Sequence, residues 1–424
     1  MSRQQAAGAL DALFAELGQQ SGGGLIKSVL KAAHDQLDMD VAFVSEFSDG
    51  KQVCRAVEGG GHSFGLQPGV SIPLEETYCN RMLAGKLPNI IRDAQHDRRV
   101  ADLKGTQAAG IGAYISVPIR RRDGTVYGTL CCLRHTPNFG LDDRDIRFLT
   151  ALGQVISHEL EREHEALSSR RARVERIQRV IRGEGLFTVY QPIFDLRTGR
   201  SIGVEALARF EDSRTPPVAW FLEATALELD VELNLAAARA ALSEFANLEP
   251  RLFMAINISP ETLISGRLVD LLRGLPAERL VLEITEHARV GDYIALRDAL
   301  TMHRQLGVRI AVDDAGAGFA SLQHILRLQP ELIKLDAALT RDIHADPVRR
   351  ALAQSLVTFS GEVGAMLVAE GVESEAEIET LQRIGFQYGQ GYRLAQPELM
   401  QHAAKSRCAR PPARRAQTSR NRAD

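Results

Sequence analysis

Cysteine is scarce in this chain: five in 424 residues, at positions 54, 79, 131, 132 and 408, with no C-x-x-C spacing. That excludes a disulfide framework. No run of about 18 apolar residues occurs, so no membrane-spanning helix is expected. The opening MSRQQAAGALDALFAEL has one Arg and then acids and Gln. It lacks the basic region, apolar run and cleavage site of a secretory signal. A large charge of either sign is also missing. The formal net charge is -3, which gives no global reason to expect nucleic acid as a partner. Together these absences predict a cytoplasmic protein. The rest of the composition, 45% hydrophobic and 25% charged, is that of a soluble globular chain. Its length exceeds the roughly 250–300 residues at which one core stops growing, so two domains are expected.

Five parts can be marked along the chain. Residues 1–21 read as a helical leader that ends at the Gly22–Gly24 breaker. Residues 22–160 are mixed α/β. Leu25–Leu37 reads as a helix; Val41–Phe47 and Gln52–Val57 read as strands joined by the turn SDGK. Glu76–Ala84 reads as a helix, and Ala113–Ile119 and Val126–Leu133 as a hairpin with an Asp-Gly turn. From about Asp143 to Ile181, apolar residues recur every three or four positions, and neither Pro nor Gly falls between Gly153 and Gly183. That predicts one long helix, with residues 161–182 as a connector able to self-associate in a homodimer. Gaps in the apolar seam lie near Glu163 and Arg170. The fifth part, 403–424, carries Lys405, Arg407, Arg410, Arg414, Arg415, Arg420 and Arg422 against one Asp, and reads as a solvated, disordered tail.

Residues 183–402 repeat strand, loop and helix. Candidate strands are Phe187–Ile193, Ile202–Ala208, Leu252–Ile258, Leu280–Ile284, Arg309–Val312, Leu332–Leu335, Met366–Ala369 and a short one near Phe386. Eight strands with helices between them match a TIM-type barrel; an open doubly wound sheet is the alternative.

In such a barrel the chemistry sits at the C-terminal strand ends. Those ends carry Glu205 in VEALAR, Asn257 in AINIS, and Glu283 and Glu286 in LEITE. They also carry Asp313 and Asp314 in AVDDAGAG, Lys334 in LIKLD, Glu370 and Glu373 in AEGVE, and Gln390 in YGQGY. Taken singly, each has an ordinary explanation. A strand-end Asp often caps a helix, Asp-Asp before glycines can be a turn, and Lys334 could be a solvated lysine. Taken together, five acids (Glu205, Glu283, Asp313, Asp314, Glu370) would meet at one mouth, where like charges strongly disfavour one another. Divalent cations resolve that conflict, and an all-oxygen donor set suits Mg²⁺ or Mn²⁺. Two ions sharing Asp313 could clamp a phosphoryl ester. Gly316 and Gly318 let the following loop turn tightly and approach a ligand.

The order YQPIFDLRTG, EALAR, NIS, LEITE, DDAGAGFASL, IKLD, AEGVES and GQGY resembles the EAL family of cyclic di-GMP phosphodiesterases. The resemblance implies a modified TIM barrel whose first strand is antiparallel, an α/β fold, following an N-terminal α+β domain. It implies metal-dependent hydrolysis of cyclic di-GMP to linear pGpG, with two Mg²⁺ or Mn²⁺ held by Glu205, Asn257, Glu283, Asp313, Asp314 and Glu370. Lys334 would stand beside the attacking water, Glu370 would bind metal or orient that water, and Gln390 would hold a water on the metal. Glu286 would anchor the loop after the fifth strand. Gln191, Arg209 and Asp336 would contact substrate, Arg209 through a phosphate, which suits a guanidinium fork. Dimer contacts would reach the metals through Glu286 and the loop 314–321. The chain departs from the usual Asp-Asp-Phe-Gly-Thr-Gly-Tyr-Ser-Ser loop at Ala315, Ala317, Phe319 and Ala320. The acids and both glycines remain, so catalysis is still expected.

Residues 22–160 resemble a GAF sensory domain, through DVAFVSEF, PLEETYCNRML, NIIRDAQHDRRVADL, AYISVPI and DGTVYGTLCCL. The resemblance implies a central antiparallel sheet with a pocket on one face, for a ligand the sequence does not name. His62, Cys79, His96 and Cys131 are the candidate contacts, although no spacing among them fixes a metal or chromophore. No GGDEF-like cyclase or kinase motif is present. Three functions follow: a phosphodiesterase regulated by its N-terminal domain, an effector that binds cyclic di-GMP without cleaving it, or a scaffold whose connector helix merely dimerises. The complete ligand set favours the first.

Overall fold

The computed structural model describes residues 23–101, 103–285, 292–316 and 325–403. The leader, the basic tail, Glu286 and the loop positions 317–321 named above lie outside the described residues. The chain divides into two units, 1–171 and 172–424.

The first unit is built on a six-stranded sheet in the order β3-β2-β1-β6-β5-β4. Its strands are β1 (Val41–Ser48), β2 (Lys51–Gly59), β3 (Ser71–Pro73), β4 (Ile90–Ile91), β5 (Ala113–Arg120) and β6 (Val126–Arg134). Every pairing is antiparallel. The β1–β2 hairpin closes at Asp49-Gly50, both at positive φ (50° and 72°). That is the backbone hand that matches strand twist, and Asp-Gly supplies it with little strain. The short edge strands β3 and β4 were not anticipated, because two or three residues carry no readable period. Alternation along the central strands gives each face its own core. One face takes Ala42, Val44, Ile115 and Val117 against Val29, Leu30, Leu149 and Leu152 of the flanking helices. The other takes Phe43, Tyr114 and Cys131 against Tyr78, Cys79 and Met82.

The helix Asp143–Ile181 runs unbroken for 39 residues. Residues 162–173 are exposed on every side. An exposed stretch, mostly polar but carrying Leu167, gains nothing from a core and persists through the turns on either side of it. Beyond it, Ile177 and Val180 bury against Phe210, Trp220 and Leu233 of the second unit.

That unit is a closed eight-stranded barrel in the order β10-β11-β12-β13-β14-β7-β8-β9. Its strands are β7 (Leu186–Asp195), β8 (Arg200–Phe210), β9 (Phe253–Asn257), β10 (Leu280–Thr285), β11 (Arg309–Ala315), β12 (Leu332–Leu335), β13 (Met366–Ala369) and β14 (Tyr388–Gly389). Strand β7 pairs antiparallel with both β8 and β14, while the other six junctions are parallel. Closure rules out the open-sheet alternative and leaves no strand edge to cover. Ile193, Phe253, Ala255, Val281, Ala311, Leu332 and Val368 form one apolar cluster. It fills the bore, and a Cβ at Gly203 would meet the Phe253 ring at 2.6 Å, so glycine makes room there.

Candidate metal and active site

The bore cluster dictates where the polar residues go. Side chains repeat with period two along a strand, so the residue two beyond a bore residue faces the bore one layer higher. Two beyond Ala255, Val281, Ala311, Leu332 and Val368 stand Asn257, Glu283, Asp313, Lys334 and Glu370. Glu205 is two beyond Gly203 and Gln390 two beyond Tyr388. On antiparallel β7 the count reverses, from Ile193 back to Gln191. Each strand therefore carries a greasy lower residue and a polar upper one, and the upper layer is the site.

Lys334 lies at its centre, with a side chain only 1% exposed. Its Nζ is 3.1 Å from Glu205 Oε2, 3.0 Å from Glu283 Oε2, 3.1 Å from Asp313 Oδ1 and 2.6 Å from Glu370 Oε1. Burial alone would push its ammonium down, but the surrounding carboxylates hold it well above the usual lysine range. Burial holds Glu283 and Glu370 well above the usual carboxylate range; Lys334 opposes this, and the neighbouring acids add to it. Glu205 is lowered: burial resists, but Lys334 together with hydrogen bonds from Gln390 and Asn257 prevails. Asn257 Nδ2 donates to Glu205 Oε1 at 2.9 Å. Gln390 Nε2 donates to Glu205 Oε2 at 2.7 Å and to Gln191 Oε1 at 2.9 Å. Asp314 follows Asp313 at φ 58°, a left-handed turn that swings its carboxylate to the mouth.

Do these residues suit divalent cations? One ammonium faces four carboxylates, so negative charge is left over. Glu283 Oε1 is buried with no hydrogen-bond partner, an acceptor awaiting a positive group. Ligand atoms of Glu205, Glu283 and Asp313 lie within 4.8 Å of one another, and so do those of Asp313, Asp314 and Glu370. The two groups share Asp313. All donors are oxygens, which hard cations prefer. The residues fit.

A cavity of about 310 Å³ opens over this layer, lined among others by Gln191, Glu205, Asp313, Glu370 and Gln390. It also takes in Tyr392, 63% exposed. Tyr392 ends the GQGY motif but was not among the expected site residues. Two expected substrate contacts, Arg209 and Asp336, are not among the residues lining this cavity. Arg209 is half-buried, and its Nη1 donates to the Ala208 carbonyl. Asp336 caps the helix Ala337–Thr340, accepting from Ala338 N at 2.7 Å. In the first unit, Cys79 and Cys131 come together in the core with sulfurs 3.1 Å apart. His62 and His96 lie at the surface, hydrogen-bonded to Gln67 and Asp93.

The EAL domain model matches residues 174–397, and the GAF domain model matches residues 24–160. A cyclic di-GMP phosphodiesterase of Pseudomonas aeruginosa is 34% identical over 228 residues, 51% of this chain and 39% of that protein. An uncharacterized protein of Sinorhizobium fredii is 30% identical over 254 residues, 58% of this chain and 31% of the other. The chain thus spans well under half the length of these curated relatives. Among solved structures, the FimX EAL domain of Xanthomonas citri in complex with c-di-GMP aligns at TM-score 0.50 and 21% identity. It covers 56% of this chain and 98% of that one, and the likeness is one of fold. Klebsiella pneumoniae BlrP1 with calcium and cyclic di-GMP aligns at TM-score 0.47 and 32% identity, covering 51% of this chain and 57% of that one. The EAL match extends over more than half of the chain, and with a GAF domain ahead of the barrel, this protein belongs to the EAL domain family.

Proposed function

We propose that the barrel hydrolyses cyclic di-GMP to linear pGpG. The observation that carries this reading is the ring of four carboxylates around Lys334 at the floor of an open cavity. A cyclic dinucleotide presents two phosphodiesters, and the relative from Pseudomonas aeruginosa is named for acting on that substrate. Glu205, Asn257, Glu283, Asp313, Asp314 and Glu370 would hold two Mg²⁺ or Mn²⁺ ions, with Asp313 serving both. Bound there, such ions would offset phosphate charge and make water a better nucleophile at neutral pH.

The chain's own groups do the rest. The Lys334 ammonium holds the attacking water and faces the charge that grows on the phosphoryl oxygens. Glu370, in contact with Lys334, would bind metal or orient that water. Gln390 and Asn257 fix the Glu205 carboxylate through its two oxygens, and Gln191 steadies Gln390. Arg209 and Asp336 are reserved for the substrate's outer parts, which requires Asp336 to serve two roles. Water adds to phosphorus and the P–O3′ bond breaks, so the product carries a 5′-phosphate and a free 3′-hydroxyl. The purified full chain should convert cyclic di-GMP to pGpG with Mg²⁺ or Mn²⁺ and stop in chelator, read by chromatography of the products. Ca²⁺ should restore turnover poorly, since it is larger and holds a looser geometry. Full turnover in chelator would refute the metal requirement. Tight binding without cleavage would make the protein an effector.

The division into 22–160, 161–182 and 183–402 is also our proposal, supported by a unit boundary at 171/172 inside the connector. We place the protein in the cytoplasm; among the described residues no helix is long and apolar enough to cross a membrane. The N-terminal domain would regulate the barrel in a homodimer through the helix Asp143–Ile181, by favouring one of two rotational settings. The stretch 162–173, exposed at every position and packed into no core among the described residues, supports this. Four residues inserted after Glu163 should turn the seam and change the turnover rate or its response to the input. Seven should nearly preserve both, because seven keeps the heptad phase. Equal behaviour of the two insertions would reduce the helix to a tether.

A further inference from the structure

Cys79 and Cys131 reach each other from different elements. Cys79 sits in the helix Tyr78–Leu83, whose first turn is capped by the Thr77 side chain. Cys131 sits on β6, inside the sheet, between its cross-strand partners Phe43 and Ser116. Both are buried, at 2% and 0% exposure, and their sulfurs are 3.1 Å apart. Two sulfurs in simple van der Waals contact rest farther apart than this. The surroundings are not those of inert core thiols. Gln52, 6% exposed, donates from Nε2 to Cys79 Sγ at 3.3 Å and to Ser45 Oγ at 2.9 Å. Ser116 Oγ and Thr129 Oγ1 each lie 3.1 Å from Cys131 Sγ. Three buried polar side chains, Gln52, Ser116 and Thr129, thus contact the two sulfurs within an otherwise apolar face. The remaining described cysteines provide the contrast. Cys132, one residue on, faces the opposite core, and the nearest partner of Cys54 is a carbonyl.

We propose that Cys79 and Cys131 are a dithiol–disulfide pair, oxidised reversibly by a hydroperoxide, and that the N-terminal domain therefore carries a two-electron redox site. Their surroundings divide the work between them. Burial opposes ionisation of Cys79, but hydrogen bonds from Cys131, Thr129 and Gln52 outweigh it and lower the thiol below its ordinary value. Burial, with Cys79 beside it, pushes Cys131 well up. The Gln52 amide donates to the Cys79 sulfur, a contact that favours negative charge there, so Cys79 is assigned as the thiolate and Cys131 as the thiol that resolves. The Cys79 thiolate attacks one peroxide oxygen and the O–O bond breaks. The other oxygen leaves as hydroxide and takes a proton to become water, and Cys79 is left as a sulfenic acid. Cys131 attacks that sulfur, the S–S bond forms as the S–O bond breaks, and a second water leaves with the Cys131 proton. The two thiols lose two electrons and the peroxide gains them. Closing the gap takes about 1 Å of approach between the sulfurs. Burial shields the pair from bulky disulfides, whereas a hydroperoxide of two oxygens can enter through local opening.

The test uses the full chain, reduced and then freed of reductant. It is treated with hydrogen peroxide, denatured in iodoacetamide and digested without reductant. The peptides bearing Cys79 and Cys131 should be recovered joined, lighter than their sum by two hydrogens, and dithiothreitol should separate them. In Cys131→Ser, dimedone should trap Cys79 as the sulfenic acid; in Cys79→Ser, Cys131 should be recovered as a free thiol. Wild-type mapping alone decides the matter if a variant fails to fold. Recovery of both residues as alkylated thiols, after a treatment that oxidises free glutathione completely, overturns the proposal. So does a disulfide joining either one to Cys408 instead.

Discussion

Asp313→Asn should lower the turnover of cyclic di-GMP by about a thousandfold or more, the upper end of the cost of removing one electrostatic element from a site. Asp313 is the residue shared by both groups of candidate metal ligands. Its amide would still offer an oxygen, but with no negative charge to set against two cations. The substitution should leave the fold intact. Asp313 adds repulsion to buried Glu283 and Glu370, so removing its charge relieves metal-free protein of a like-charge contact. The melting temperature in chelator should therefore hold or rise, while the stabilisation gained on adding Mn²⁺ shrinks. The check is kcat at saturating Mn²⁺ alongside melting with and without the ion. Turnover within tenfold of wild type would remove Asp313 from the centre of the mechanism; a collapsed melting temperature in chelator would make its role structural.

Lys334→Met keeps an unbranched apolar stem in place of the lysine's and deletes its ammonium. It should lower kcat by roughly a hundredfold to a thousandfold while KM stays within about tenfold, since the ammonium is assigned to the reaction rather than to substrate capture. Loss in KM with kcat intact would refute that role. A second readout follows from burial. Without Lys334, four buried carboxylates lose their cation, and breaking a buried ion pair by removing one partner costs about 3–5 kcal/mol. Metal-free Lys334→Met should therefore melt well below wild type, and divalent ions should restore much of the difference. The sign with pH is fixed by the shifts. Lys334 is held above its ordinary value, so its contribution is present below that value and lost as pH rises through the folded one. Glu283 and Glu370 are held above theirs, so they take up protons as pH falls from neutrality and leave less charge unpaired. The deficit of the variant should accordingly narrow toward acid pH. A constant deficit would place the effect in packing.

Much of the barrel was legible beforehand because its signals are local. Strand β12 at Leu332–Leu335 and β13 at Met366–Ala369 have the expected bounds, since short apolar runs flanked by helical patterns are readable within a few residues. The helix Asp143–Ile181 was legible for the same reason: a period of three to four with no breaker. Strand β11 ran on to Ala315, beyond the expected Val312, because Asp313 and Asp314 look like turn residues until a barrel wall claims them. The acids themselves could be named from the ends of their strands, and the family from their order.

Composition and spacing by themselves determined the periods, the breakers, and which residue types stand at which strand ends. Only the tertiary structure decided the rest. Closure with β7 reversed depends on pairing between Asp195 and Tyr388, residues nearly two hundred positions apart, and no local pattern encodes strand direction. The placement of Lys334 inside the acid ring, with the shifts that follow, arises because five strands from distant parts of the chain bring their upper residues into one layer. The contact of Cys79 with Cys131 across 52 positions is likewise a product of helix-on-sheet packing. Electrostatics and thiol chemistry depend on distances of a few ångströms, and a sequence fixes such distances only through the fold it adopts.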